Sequence, residues 1–234
     1  MVYAKKRAII FDLDDTLYPQ IEYTRQCLLY SSSLIAKISN RNQSEIEHIL
    51  NHILENKGIE YRHIYNDLFE QISFDGMPYL KDILAKFWQC QPILQLYEST
   101  YDVLNELKGK FILALLTDGY EKTQEYKINN LQIRHFFDSI LITDSLGVKN
   151  RKPSVIPYSV MLNNINIPAC NCIYVGNDPN KDFVGAKQLG LKTIRINQGE
   201  YKDMKVSEKF NSEFIINSIS ELINCIKNRI WTDI

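Results

Sequence analysis

The sequence has almost no net charge, with 27 Lys and Arg against 28 Asp and Glu. A protein that grips nucleic acid or an anionic membrane needs a clustered excess of basic residues. Neither partner is expected, and the ligand is expected to be a small molecule. Cysteine is equally sparse. Cys27, Cys90, Cys170, Cys172 and Cys225 are odd in number and lack CxxC or Cys/His metal spacing. This argues against a disulfide framework or a zinc site and predicts reduced, packed thiols in a cytoplasmic protein. No apolar run is long enough to span a bilayer. The apolar stretch within "MVYAKKRAIIFDLDD" meets acidic residues too soon to be a secretion signal. Internal repeats and low-complexity segments are lacking, and the sequence carries no signal of oligomeric state.

What is present is a change of hydrophobic period along 234 residues, a length that suits one large α/β domain or a core carrying a smaller second one. Short apolar runs bounded by turn residues occur at Arg7–Leu13, Phe111–Thr117, Ser139–Thr143, Cys172–Gly176 and Lys192–Ile196, with a weaker one at Glu213–Ile216. These predict buried strands. From Phe111 onward they alternate with helix-like segments, "YEKTQEYKINNL" and "PYSVMLNNI", the pattern of parallel βαβ units. The expected fold class is therefore α/β, with a Rossmann-like, doubly wound, mostly parallel sheet. Between the first two strands lies an insertion of roughly eighty residues, too long for a βα loop. It has helical spacing throughout. Ile46, Ile49, Leu50, Ile53 and Leu54 form one stripe, opened by a Ser44/Glu47 capping box and closed at Gly58; Leu80, Ile83, Leu84, Phe87 and Trp88 form another. The segments "YTRQCLLYSSSLIAKI" and "YRHIYNDLFEQI" add two more helices. The domains expected are a core of residues 1–18 and 98–234 and an all-helical cap of residues 19–97. The polar stretch Asn197–Asn211 reads as a long surface loop.

Against this frame "FDLDDTLYP", Phe11–Pro19, places three carboxylates in four positions at the end of the first strand. Crowded carboxylates repel unless a cation or hydrogen-bond donors gather there. Two readings fit: Asp14, Asp15 or Thr16 caps a following helix, or the cluster is a hard-metal site for phosphoryl chemistry. Other polar residues fall at corresponding places: Thr117 and Asp118 end the second strand, Lys152 follows the third, and Asp178 and Asp182 follow the fourth. Open α/β sheets bind ligands at the carboxyl ends of their strands, so these residues should converge.

In these motifs the chain resembles the haloacid dehalogenase-like (HAD) hydrolase superfamily. The resemblance rests on "DLDDT" (Asp12–Thr16), Thr117 in "LLTDG", Lys152 in "RKP" and the acidic "GNDPNKD" (Gly176–Asp182), in that order, and extends from about Ala8 to Leu222. It implies Asp12 as a nucleophile that forms an aspartyl-phosphate and Asp14 as the acid and base that serves the leaving oxygen and the attacking water. Thr117 would hold phosphate oxygens and Lys152 would neutralise charge, while Thr16 orders the loop. Mg2+ is the implied cofactor, with Asp12, Asp14, Asp178, Asn177 and Asp182 as the residues around it. Relatives that break carbon–halogen bonds lack an acid two positions after the nucleophile, so Asp14 favours phosphate esters.

One position departs from the family pattern, which reads Gly-Asp where this chain has Gly176-Asn177-Asp178. Either Asn177 coordinates through its amide oxygen, or the loop turns so that Asp178 does. Charge favours Asp178, with Asp182 bonding the metal's waters or Lys152. The expected function is an Mg2+-dependent phosphomonoesterase acting on a small metabolite such as a sugar phosphate or nucleoside monophosphate. The alternatives are a phosphotransferase or mutase, and a non-catalytic phosphometabolite-binding module. Tyr18, Gln20, Tyr23 and Arg25 near the first crossing are candidates for the pocket wall and equally for ordinary helix surface.

Overall fold

The computed structural model describes residues 6–232. Six strands, β1 (Ala8–Phe11), β2 (Ile112–Thr117), β3 (Ser139–Ile142), β4 (Cys172–Gly176), β5 (Lys192–Ile196) and β6 (Phe214–Ile216), form one sheet in the order β3-β2-β1-β4-β5-β6. Every pairing is parallel. The central strands are apolar at consecutive positions, "AIIF" and "CIYVG", and every residue in both is buried. That is what a strand covered on both faces requires. The doubly wound parallel sheet expected from the alternating pattern is present. The chain passes from β1 outward to β2 and β3, then returns to the other side of β1 to build β4, β5 and β6. This reversal puts a crevice at the carboxyl ends of β1, β2 and β4.

The chain divides into two compact units, one made of the segment up to Pro19 together with everything from Gln95 on, the other of Gln20–Leu94. In the first, the sheet is accompanied by the helices α5 (Thr100–Leu107), α6 (Glu121–Asn130), α7 (Ile156–Ile165), α8 (Val184–Gln188) and α9 (Leu222–Cys225). Ile10, Leu116, Tyr158, Met161, Tyr174 and Phe183 pack together there and are fully buried, the aliphatic ones contributing about 1.5–3 kcal/mol each. The second unit holds α1 (Gln20–Ser39), α2 (Gln43–Lys57), α3 (Ile64–Gln71) and α4 (Leu80–Gln89). Its core joins Leu28 and Ile35 of α1 to Ile46, Leu50, Ile53 and Leu54 of α2, and to Leu68, Phe69 and Ile83 beyond. Among the described residues, no helix is long and apolar enough to cross a membrane.

Several local expectations change. The N-cap of α2 is Asn42, whose side chain accepts from the Ser44 backbone N–H at 2.8 Å. Ser44 lies inside the helix, and Glu47 accepts instead from Ser32 Oγ and Gln43 Nε2, so the Ser44/Glu47 box does not form. Gly58 does end the helix, at φ 80°, returning its N–H to the Leu54 carbonyl. The apolar stripe of α4 buries Ile83 fully, whereas Leu84 and Trp88 stay exposed. Cys27, Cys172 and Cys225 are packed inside, but Cys170 is exposed.

The stretch Asn197–Asn211 is a loop, yet a tied one. Arg195 donates to the carbonyls of Tyr201 and Met204, and Lys187 to those of Glu208 and Asn211. Because Asn42 supplies the cap bond of α2, Asn42→Ala should lower stability by about 1 kcal/mol, while Ser44→Ala should change it far less. Urea unfolding of the two variants distinguishes this cap from the box expected in the sequence.

Candidate active site

Asp12 is the first residue beyond β1, and its backbone N–H extends the ladder to the Val175 carbonyl of β4 at 2.9 Å. Its Oδ1 accepts from Lys152 Nζ at 2.8 Å. The same ammonium donates to Asp182 Oδ1 and to the Tyr174 hydroxyl, both at 2.8 Å, and the side chains of Lys152 and Asp182 are wholly inaccessible. Asp182 Oδ2 in turn accepts the backbone N–H groups of Asn177 and Asp178, at 3.1 and 2.9 Å. Gly176 makes this possible, because a Cβ there would lie 2.4 Å from Asp182 Oδ2. Residues far apart in sequence thus meet around one buried ammonium. Burial alone would lower the Lys152 pKa, but Asp12 and Asp182 hold it well above the ordinary lysine value. Burial likewise opposes ionisation of Asp182, and Lys152 outweighs it, keeping that carboxyl below its usual range.

Asp12 is treated differently. Burial pushes its carboxyl up to about 7 against the pull of Lys152, with the Asp182 charge adding to the rise; of its two oxygens, Oδ1 is paired. The other, Oδ2, is buried and has no hydrogen-bond partner. A buried carboxylate oxygen left bare is costly and calls for a cation or an electrophile.

Two residues on, Asp14 has the opposite environment. Its Oδ1 accepts from the Tyr18 hydroxyl at 2.5 Å and Lys127 Nζ at 2.7 Å, and its Oδ2 from Gln124 Nε2 at 2.9 Å. Burial works against its ionisation, but Lys127 and these hydrogen bonds prevail and hold the carboxyl below its ordinary value. Gln124 Nε2 also donates to Thr117 Oγ1 at 2.6 Å, whose own hydroxyl makes only a long 3.5 Å contact with the Asp118 carbonyl. Asp118 Oδ1 accepts from Thr143 Oγ1 at 2.6 Å and from the Lys152 backbone N–H at 3.4 Å, bracing the loop that carries Lys152. Asp12, Lys152 and Asp182 are therefore in direct contact, while Asp14 and Thr117 are joined through Gln124.

The fourth motif splits its two candidate ligands. Asn177 is buried, and its Oδ1 accepts from Thr16 Oγ1 at 3.3 Å, which sets the amide oxygen beside the loop after β1. Asp178 Oδ1 accepts both Asn180 N–H groups, backbone and side chain, at 2.9 and 3.0 Å. Its Oδ2 lies 3.8 Å from Lys181 Nζ. Burial, followed by the charge of Asp182, raises the Asp178 pKa. The bare Asp12 Oδ2 is a hard anionic donor of the kind that suits a dication such as Mg2+. The carboxylates of Asp14 and Asp182, both expected near the metal, are already engaged by protein donors. Among the described residues, no three His, Cys, Asp or Glu side chains group as a metal cage. Of the pocket-wall candidates, Tyr18 instead bonds Asp14. Gln20, Tyr23 and Arg25 belong to the helical unit, where Tyr23 is buried and Arg25 pairs with Glu22 and Glu55.

Gln124, Lys127 and Tyr174 were not legible as site residues. The first two lie in a mostly polar helix with no clear apolar stripe, and Tyr174 lies in an apolar strand where its ring reads as core. The Lys152 cluster has a measurable stability consequence. Lys152→Met leaves two buried carboxylates facing each other and should cost about 3–5 kcal/mol. Tyr174→Phe removes one of three acceptors around the ammonium and should cost about 1 kcal/mol, both read by denaturant unfolding.

Comparison with known proteins identifies the family. The sequence profile of haloacid dehalogenase-like hydrolases matches residues 9–196. A glyceraldehyde 3-phosphate phosphatase from Methanocaldococcus jannaschii is 33% identical over 226 residues, 95% of this chain and 97% of that one. The human N-acylneuraminate-9-phosphatase is 26% identical over 239 residues, with 95% and 94% covered. Among solved structures, the magnesium-bound HAD-hydrolase YfnB from Bacillus subtilis shares the fold with a TM-score of 0.63 at 18% identity, covering 96% of this chain and all of that one. The profile match and the full-length relatives lead to one conclusion: this chain belongs to the haloacid dehalogenase-like hydrolase family.

Proposed function

We propose that the protein hydrolyses phosphate monoesters of small sugar-like metabolites through a phosphorylated Asp12. The observation that carries this reading is the asymmetry of Asp12, one oxygen fixed by Lys152 and the other buried and bare at the end of the central strand. A carboxylate held in this way is aimed, and it lacks only an electrophile. The relatives, named as phosphatases of glyceraldehyde 3-phosphate and of N-acylneuraminate 9-phosphate, support a phosphorylated sugar as the substrate class.

In the first half of the reaction an Asp12 oxygen bonds to phosphorus as the bond from phosphorus to the ester oxygen breaks. The leaving alkoxide takes a proton from Asp14. In the second half a water oxygen bonds to phosphorus and the bond to Asp12 breaks, giving inorganic phosphate. The water's proton passes to Asp14, which is thereby recharged for the next leaving group. Asp14 is ionised in the observed arrangement, the state that accepts this proton. Lys152 offsets charge on Asp12 and on the transferring group, and the Thr117 hydroxyl donates to a phosphate oxygen.

Mg2+ would be held by Asp12 Oδ2 and Asn177 Oδ1, and when bound it supplies charge neutralisation between the carboxylate and the phosphate. Asn177 is preferred to Asp178, the residue favoured by charge, because Asp178 spends Oδ1 on Asn180 whereas the Asn177 oxygen lies beside Thr16. The helical unit Gln20–Leu94 is proposed to act as the cap that selects the substrate.

The reading is tested by inorganic phosphate release from a panel of sugar phosphates and nucleoside monophosphates with Mg2+. Steady release is expected, and Asp12→Asn should reduce it by more than about 1,000-fold with the circular dichroism unchanged. Transfer of the phosphoryl group to an added alcohol without phosphate release would point to a transferase instead. For the metal, Asn177→Ala should raise the Mg2+ concentration giving half-maximal activity more than Asp178→Ala does. The reverse ranking would return the ligand to Asp178.

A further inference from the structure

Helix α6, "EKTQEYKINN", is mostly polar, with Ile128 as its buried aliphatic residue, yet Gln124 and Lys127 are 1% and 4% exposed. Burying an ammonium or an amide costs several kcal/mol without partners, so the contacts made by these two residues have to be strong. They sit one turn apart on the same face and converge on one carboxylate. Lys127 Nζ meets Asp14 Oδ1 at 2.7 Å, and Gln124 Nε2 meets Asp14 Oδ2 at 2.9 Å and Thr117 Oγ1 at 2.6 Å. With the Tyr18 hydroxyl on Oδ1, donors approach both oxygens of Asp14 and stop its rotation about χ2.

We infer that Gln124 and Lys127 are positioning residues that set the orientation of Asp14, and that Gln124 couples Asp14 to the phosphate-facing hydroxyl of Thr117. The inference rests on the reading above, in which Asp14 exchanges the proton. Lys127 donates to Asp14 and lies over the ring of Tyr18, which donates to the same carboxylate, so its loss should fall on proton transfer to the leaving group. Gln124 holds Asp14 and Thr117 together, so its loss should fall on proton transfer and also on the grip on phosphate. Gln124 and Lys127 both come from α6, which follows β2 after a three-residue turn. The helix therefore fixes the geometry of two motifs that arise on different strands.

A purely structural pairing would lower stability without regard to the leaving group, and its kinetic effect would multiply with that of Asp14→Asn. The test measures kcat and KM for wild type, Asp14→Asn, Lys127→Met and the double variant, with a primary alkyl phosphate and with 4-nitrophenyl phosphate. Lys127→Met is expected to lose about 100-fold in kcat on the alkyl ester and less than about 10-fold on the aryl ester, whose leaving group needs little proton assistance. In the Asp14→Asn background the same substitution should cost nothing further, since two residues acting as one unit are not additive. Gln124→Leu should show the same kcat pattern and also raise KM for both esters. Equal losses on the two esters, or multiplicative losses in the double variant, would overturn the inference while leaving the hydrolase reading intact. If Lys127→Met does not fold, Lys127→Arg keeps the charge but moves the donor, and wild-type kinetics in that variant would overturn the inference equally. Wild-type protein inert toward both esters would overturn the hydrolase reading, and this inference with it.

Discussion

A single ammonium, Lys152 Nζ, sits out of water between Asp12, Asp182 and the Tyr174 hydroxyl, and the arrangement of the strand ends depends on it. An isolated charge at this depth would be driven to its neutral form, and two carboxylates without it would repel. Together they form a compact set that ties three places in the chain: the residue after β1, the loop after β3 and the turn after β4. Asp182 extends the tie by accepting the two N–H groups at the start of that turn, which only Gly176 allows at so close an approach. The charge network is therefore also what shapes the backbone of the fourth motif.

From that constraint follows the contrast between two carboxylates separated by one residue. Asp12 has one donor and a bare oxygen, and burial, with the Asp182 charge, outweighs Lys152 and raises its proton affinity. Asp14 has donors on both oxygens and a neighbouring ammonium, so it stays ionised below the usual range. Environments that push paired titratable groups apart are the physical means by which one site assigns different roles to like side chains. The two environments are supplied by different elements: Lys152, in the loop after β3, bonds Asp12, whereas Gln124 and Lys127 of α6 bond Asp14.

Between them the loop after β1 is itself held from a distance. Asp15, at φ 55°, accepts the Glu200 N–H through Oδ2, while Gln198 Nε2 donates to the carbonyls of Asp15 and Thr16. Gly199 lies so near that a Cβ would fall 2.3 Å from the Asp15 carboxyl carbon. The third acid of the opening cluster is thus a fastening for a strained turn, consistent with Asp as a residue that tolerates the left-handed region. What reads as a surface loop after β5 is a clamp on the loop after β1.

The strands, the helical insertion and the residues at the strand ends were all legible in the sequence, because each leaves a local trace. Parallel strands covered on both faces must be apolar without interruption, as "AIIF" and "CIYVG" are, and acids such as Asp12 and Asp14 stand out directly after such a run. The tertiary structure decided what those residues touch. Lys127 reaches Asp14 across 113 positions and Lys152 reaches Asp12 across 140, and no hydrophobic period encodes such a pair. It also decided between near-equivalent polar neighbours, Asn42 over Ser44 as a helix cap, and the different partners of Asn177 and Asp178. Burial follows from the pattern of many residues and survives local ambiguity. The partner of a single hydrogen bond depends on a few tenths of an ångström and a bond angle, and these exist only once the chain is folded.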